Sequence, residues 1–319
     1  MSDLMVPEPV RHKAISLGVE GLKWLNSLGQ LIRQMEKQWQ LVVIGECLEG
    51  GSEAYVTRAK TADGLEVVLK LGMPEMSGNS DLKSEIQALS LADGHGYARL
   101  LKYDIERRAL LLERLGAPLR DLPLSTSEQI RIICSTLQQS WTPVPQEVVF
   151  QSGANLAMGL ADFIERLSQE LGSPSSEKAL KMVLSFTQSR AAAHQPECAV
   201  LVHGDAHNGN LLQSLDDASL EKPLFKFIDP DGIQGEPACD LGVLMRAWPD
   251  DLFSGDPAQL GRDRCDYISS LTGVRPRAIW EWGLIQCMST GLFLMQVGNA
   301  HLGSQLLKIA DACAEGAGC

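Results

Sequence analysis

One stretch, Val200 to Asp240, constrains this chain more than any other. It reads VLVHGDAHNGNLLQSLDDASLEKPLFKFIDPDGIQGEPACD. A short apolar run, Val200 to Val202, ends in His203, Gly204 and Asp205, and Asn210 stands five residues beyond that Asp. Leu211–Leu212 and Phe225–Ile228 then read as a strand pair separated by a polar turn, because short apolar runs bounded by turn residues are how buried strands appear in sequence. The second of these strands delivers Asp229, just before Pro230. Asp, Asn and Asp are therefore expected on loops at the mouth of one small sheet. Such a group of acceptor oxygens suits phosphoryl transfer, in which one carboxylate takes the proton of an attacking hydroxyl while an amide and a second carboxylate hold magnesium against nucleotide phosphates. Each piece alone is unremarkable, since HGD is a common turn and Asp before Pro an ordinary turn former. The combination and its spacing carry the reading.

The catalytic loop of protein kinases has the same Asp-to-Asn spacing and is likewise followed by a metal-binding Asp. HGDAHNGN with FIDPDGIQGEPACDLG resembles the aminoglycoside phosphotransferase family, and within it is most similar to the streptomycin 6-kinase and hydroxyurea phosphotransferase branch. The likeness is looser elsewhere, where it includes the entry Trp39-Gln40-Leu41 into the first strand and the late segment RAIWEWG. The resemblance implies an α+β, bilobal, protein-kinase-like fold with an N-terminal antiparallel sheet lobe and a mostly helical C-terminal lobe. It also implies ATP and Mg²⁺ as cofactors and O-phosphorylation of a small cationic molecule, an aminoglycoside such as streptomycin. By that match Asp205 is the expected catalytic base, Asn210 and Asp229 the magnesium ligands, and Asp240 a structural acid behind the loop.

Upstream, Glu8 to Trp39 has helical spacing, with Leu17, Leu22, Leu25, Leu28, Leu31 and Ile32 at three- and four-residue intervals, and reads as one or two helices. Gln40–Ile44, Ala54–Ala59 and Leu65–Leu71 read as strands, separated by turns at 49–52 and 62–64. Gly50, Gly51 and Ser52 are candidates for contact with phosphate, because glycine lets backbone amides approach without side-chain clash. Lys70 ends the apolar run EVVLK, matching the position that pairs with the α- and β-phosphates in kinases. Asp81–Leu91 reads as an amphipathic helix, and in the fold resembled Glu85 is the acid that orients the strand lysine. Ala98–Tyr103 and Ala109–Glu113 make a last hairpin, and the segment through Glu113, Arg114 and Leu115 into Gly116 corresponds to the connector whose backbone bonds the adenine edge.

From Ser125 on the pattern is mostly helical: Ser127–Leu137 with Ser125 as cap, Ala154–Leu171, Glu177–Ala193, Arg262–Leu271, Arg277–Val297 and a tail to Leu307 and beyond. The expected lobes are 1–115 and 116–319, since single cores stop growing near roughly 250–300 residues. His203 and His207 lie four apart, but Gly204 breaks any helix between them, so a zinc pair is not expected; His203 is expected to brace the loop. Pro230 to Glu236 contains no Lys or Arg, although in some branches of the family a basic residue follows the second metal Asp. Asp231, Glu236, Asp250, Asp251 and Glu281 are candidates for an acidic substrate cleft.

Twenty-eight Lys and Arg against 40 Asp and Glu give a net charge of −12, which disfavours nucleic acid and anionic membranes and favours cationic partners. The eight Cys form no CxxC or CxxH pair and read as reduced core residues. The first residues lack a basic region followed by an apolar run, and no apolar run reaches the roughly 18 residues of a membrane span, so a cytoplasmic protein is expected. The expected partners are a nucleotide and a small-molecule substrate, with no nucleic acid or membrane, on a monomer or weak homodimer. A small-metabolite kinase of the same fold and a non-catalytic pseudokinase binding module are the alternatives. A protein kinase is disfavoured by the absence of an APE-like segment after Asp229.

Overall fold

The computed structural model describes residues 4–48, 51–74, 82–215 and 224–316. The chain forms two compact units, Met1–Gly116 with Gln213–Lys226, and Ala117–Leu212 with Phe227–Cys319.

In the first unit, α1 (Glu8–Ser16) and α2 (Gly18–Trp39) precede a five-stranded antiparallel sheet of β1 (Leu41–Cys47), β2 (Ala54–Thr61), β3 (Glu66–Gly72), β4 (Leu100–Asp104) and β5 (Ala109–Glu113), ordered β1-β2-β3-β5-β4. Successive side chains on a strand point to opposite faces. Val67, Leu69 and Leu71 of β3 thus join Trp24, Leu28, Ile32 and Met35 of α2 in one buried cluster, while Val68 and Lys70 point the other way. The helix α3 (Leu82–Ala92) begins one residue after the expected Asp81, which lies outside the described residues. Gln213 and Lys226 belong to this unit for a local reason. The Gly116 amide donates to the Gln213 carbonyl at 2.7 Å, and Lys226 Nζ to Glu113 Oε1 at 2.6 Å.

The second unit is mostly helical: α4 (Thr126–Ser140), α5 (Gly153–Glu170), α6 (Glu177–Ala193), α7 (Ala238–Arg246), α8 (Pro249–Leu252), α9 (Pro257–Thr272), α10 (Pro276–Gln296) and α11 (Ala300–Gly316). Ser125 does cap α4, in a capping box with Glu128. The helix expected from Arg262 starts five residues earlier, because Asp256 accepts from the Ala258 amide and Pro257 occupies the first turn. The strands expected around Asp205 and Asp229 are β7 (Val200–Val202), β8 (Leu211–Gln213) and β9 (Phe225–Phe227), the last two pairing with each other. Two very short strands escape the sequence pattern, β6 (Gln151–Ser152) and β10 (Ile233–Gly235). β10 pairs antiparallel with β7 and parallel with β6.

Every residue of α7 from Ala238 to Met245 is buried. It packs on α10, which buries Trp282, Ile285, Met288 and Leu292. Gly242 makes that packing possible: a Cβ there would lie 2.6 Å from Trp282 Cβ and 2.8 Å from its carbonyl carbon. Glycine inside a helix costs about 1 kcal/mol relative to alanine, so its presence reflects the close approach. Gly242→Ala is expected to lower the unfolding free energy by about 1–3 kcal/mol through overpacking, despite the gain in helix propensity. Urea denaturation checks this, and an unchanged or raised midpoint would show that α7 and α10 have room to spare.

Candidate active site

In the first unit, Lys70 points off β3 toward α3, whose first turn carries Glu85. Lys70 Nζ donates to Glu85 Oε1 at 2.6 Å, with the side chains only 12% and 6% exposed. A pair so far removed from water gains little net stability from its own attraction. Its effect is to fix the direction of the lysine. Ser52 and Gly51 lie in the bend between β1 and β2, and a Cβ on Gly51 would meet no atom within 4 Å among the described residues. Gly50 lies outside the described residues. At the end of β5 the Glu113 amide donates to the Arg99 carbonyl at 3.0 Å, and its Oε1 accepts from the Arg99 amide and from Lys226. The Leu115 carbonyl accepts from the Arg114 guanidinium. These particular groups are thus engaged within the unit.

The second cluster is built from backbone outward. Asp240, in the first turn of α7, accepts from the His203 amide through Oδ2 (3.0 Å), from the Gly204 amide through Oδ1 (2.8 Å) and from Trp141 Nε1 through Oδ2 (3.1 Å). Gly204 has φ +91°, and a Cβ would lie 2.6 Å from Asp231 Oδ2, so only glycine turns the chain here. His203 is fully buried. Its Nε2 lies 2.8 Å from the Ile228 carbonyl, while its Nδ1 accepts from the Asp205 amide at 3.1 Å. That pair of partners selects the neutral Nε2–H tautomer. Burial, the largest influence, pushes the imidazole pKa down, against the attraction of Asp240 and Asp205. Burial likewise raises the Asp240 carboxyl, opposed by His203 and by its amide donors. The expected bracing role of His203 and the expected placing of Asp240 behind the loop both match this geometry.

Asn210 Nδ2 donates to the Asp205 carbonyl at 3.1 Å, and the Ile228 amide to the Asn210 carbonyl at 2.9 Å. Those two bonds bring Asp205, Asn210 and the residue preceding Asp229 into one cluster. Asp229 itself has φ +57°. A non-glycine residue is held in the left-handed region where its surroundings over-determine it, and such positions gather at functional sites. At the Asp205 carboxylate, His207 Nε2 lies 3.4 Å from Oδ2. His207 Nδ1 accepts from the Gly209 amide at 2.9 Å, which leaves the proton on the Nε2 that faces the acid. Arg246 Nη2 donates to Asp205 Oδ1. Partial burial pushes the Asp205 carboxyl up, but the Arg246 charge and the His207 hydrogen bond outweigh it, and the pKa falls well below the ordinary carboxylate range.

Arg246 stands outside the motif that marks Asp205, Asn210 and Asp229. It lies 41 residues from Asp205, at the end of an apolar helix, and no local spacing links the two. Its position six residues after Asp240 in one helix is the signal that could have found it. The expected acidic cleft does not include Glu281 or Glu236. Glu281 is 1% exposed and held by Arg190 Nε (2.7 Å) and Arg277 Nε (2.8 Å), and Glu236 accepts from Trp282 Nε1 (2.8 Å) and pairs with Arg190. These two acids are internal supports. Asp251 accepts from Thr126 Oγ1 and Asp250 from Gln305 Nε2.

The donors present suit a hard cation. Asn210 uses its amide nitrogen toward Asp205, which turns an oxygen acceptor to the outside of that bond, and Asp229 adds a carboxylate. Among the described residues no three His, Cys, Asp or Glu close on a metal. Mg²⁺ held by one or two protein oxygens plus phosphates and water needs no such cage. Asp240→Ala would leave three N–H donors, two of them buried, without an acceptor, at a cost of about 3 kcal/mol or more. Trp141→Phe removes one donor and should cost about 1 kcal/mol. Urea unfolding of the two variants checks the order, and equal effects would remove Asp240 from its central place.

A family model described as "Aminoglycoside/hydroxyurea antibiotic resistance kinase" matches residues 38–298. Streptomycin 6-kinase of Streptomyces griseus is 25% identical over 300 residues, covering 93% of each chain. Hydroxyurea phosphotransferase of Kitasatospora aureofaciens is 24% identical over 296 residues, 92% of this chain and 81% of that protein. Among solved structures, choline kinase LicA from Streptococcus pneumoniae superposes with a TM-score of 0.60 at 16% identity, covering 91% of this chain and 99% of its own. A thermostable mutant of an aminoglycoside phosphotransferase, in its apo form, gives 0.57 at 15% identity, covering 90% and 100%. Among the described residues no helix is long and apolar enough to cross a membrane. With its fold that of kinase-like phosphotransferases and most of its length matched, the chain belongs to the aminoglycoside/hydroxyurea antibiotic resistance kinase family and is a small-molecule kinase.

Proposed function

We propose that this kinase uses Mg·ATP to phosphorylate a hydroxyl of a small cationic molecule, an aminocyclitol antibiotic of the streptomycin type. The observation that carries the reading is the Asp205 carboxylate, presented on a loop whose backbone is fixed by Asp240 and His203 and whose carbonyl is tied to Asn210. A base positioned within hydrogen-bond reach of the attacking hydroxyl contributes roughly a hundred- to ten-thousandfold in rate. Its lowered pKa keeps Asp205 ionised at neutral pH, ready to orient that hydroxyl. In a loose phosphoryl-transfer transition state the proton moves late, so alignment outweighs basicity.

Asn210 and Asp229 are assigned to Mg²⁺, which when bound supplies charge neutralisation to the phosphates. Lys70, directed by Glu85, is assigned to donor phosphate oxygens, with the backbone at Gly50, Gly51 and Ser52 as further phosphate contacts and that of Glu113 and Leu115 at the adenine edge. The cationic substrate follows from the streptomycin 6-kinase relative and from the net charge of −12.

Coupled assay of ATP turnover with streptomycin, with hydroxyurea, with a panel of sugars and amino alcohols, and with no acceptor tests the reading. Streptomycin-stimulated turnover is expected, and Asp205→Asn should lower kcat by about two to four orders of magnitude with little change in KM. Chelation of Mg²⁺ should abolish turnover, and Asp229→Asn should raise the Mg²⁺ concentration needed to restore it. Turnover with a metabolite alone would move the function to metabolism, and failure of Mg·ATP to bind would leave a pseudokinase.

A further inference from the structure

Resting on the kinase reading above, we propose that Arg246 is a positioning residue for Asp205 and the counter-charge of the transferring phosphoryl group, a place that the segment after Asp229 leaves unfilled. Pro230 to Glu236 offers no Lys or Arg. Arg246 supplies a cation from a different element, the C-terminal end of α7, with its side chain only 18% exposed and its Nη2 on Asp205 Oδ1.

The placement follows from the chemistry of the base. An acceptor hydroxyl must lie about 2.6–3.2 Å from the carboxylate that takes its proton. As the bond from the γ-phosphorus to the bridging oxygen breaks and ADP leaves, the same hydroxyl oxygen becomes bonded to that phosphorus and its proton passes to Asp205, so the phosphoryl oxygens come within a few ångströms of Asp205. A guanidinium already touching that carboxylate is then close enough to meet charge as it spreads over those oxygens, which is where preorganised donors act most strongly. Arginine suits both duties, since its planar fork offers five donors and stays charged. One donor holds Asp205, and Nε is buried with no hydrogen-bond partner among the described residues, so Asp205 does not exhaust the fork. Arg120, another arginine beside this loop through its amide on the Asn208 carbonyl, is half-exposed, pairs with Asp121 and has no contact with Asp205 among the described residues. The rigidity of α7 makes the placement durable: Asp240 at one end fixes the loop backbone, Arg246 at the other fixes its carboxylate, and the residues between are buried.

The test needs no acceptor. Isothermal titration measures binding of Mg·ADP alone and of Mg·ADP with aluminium fluoride, a planar mimic of the transferring group. It is applied to the wild type, Arg246→Ala, Arg246→Lys and Arg120→Ala. Arg246→Ala is expected to weaken the fluoride complex by about a hundredfold while Mg·ADP alone binds within about threefold of wild type. Arg246→Lys should recover part of the loss, millimolar guanidinium should restore affinity to Arg246→Ala, and Arg120→Ala should bind as wild type does. Circular dichroism checks folding; should Arg246→Ala not fold, Arg246→Lys and Arg246→Gln carry the comparison. Equal binding of the fluoride complex by wild type and the Arg246 variants would overturn the proposal. Failure of the wild type to bind Mg·ADP at all would instead overturn the kinase reading on which it rests.

Discussion

The second unit depends on one carboxylate. Asp240 gathers two consecutive amides and an indole N–H around a buried oxygen pair. Buried backbone donors without acceptors cost about as much as the whole net gain of several hydrogen bonds, so the loop conformation and the presence of an acid at this position are a single requirement. Trp141 ties the same carboxylate to the end of α4, and the Leu201 amide donates to the Thr142 carbonyl, so the loop after α4 is joined to β7 as well. Gly204 completes the requirement by turning where a side chain would strike Asp231.

From that anchor the geometry spreads along α7. The helix is buried from Ala238 to Met245 and pressed against α10 at Gly242, so it behaves as a bar with a charged group at each end. The acid sits in the first turn and the arginine in the last, the arrangement the helix dipole favours. Glu236, just before the helix, receives Trp282 and Arg190, and Glu281 within α10 receives Arg190 and Arg277. Removing either partner of such buried pairs is costly even though the pair itself adds little stability. Their contribution is to fix where α6, α7 and α10 meet, and through α7 to fix the loop.

The order of helices and strands was legible because its signals are local: alternation in β3, a three- and four-residue stripe in α2, a capping box before α4. That the Asp205 loop, Asn210 and the strand end before Asp229 lie together was legible for the same reason, since short spacings tie all three to strand ends. Arg246 was not, since a contact across 41 residues leaves no period to read. Glu281 misled because a charged residue in sequence suggests a wet surface, whereas two arginines from different helices allow it to be buried. The strands β6 and β10 are too short for any alternation to show; β10 forms on the edge of β7 and β6 on the edge of β10. The early start of α9 was present in Asp256-Pro257, a cap followed by a first-turn proline, and was obscured by the weak apolar periodicity that follows.

The bonds that place the three candidate functional side chains are mostly made by backbone. The Asp205 amide goes to His203 and its carbonyl to Asn210, while the Asn210 carbonyl takes the Ile228 amide. The residues on either side of Asp229 are clamped to His203, Ile228 through its carbonyl and Asp231 through its amide. A left-handed φ at Asp229 is thus imposed from both sides, with Pro230 restricting the chain in between. One neutral histidine does most of this holding, and a charged one could not, because a protonated Nδ1 has no lone pair for the Asp205 amide. The burial that keeps His203 neutral is therefore part of the positioning of the base. A phosphoryl-transfer loop built this way can keep its functional carboxylates near the surface while the groups that aim them stay dry.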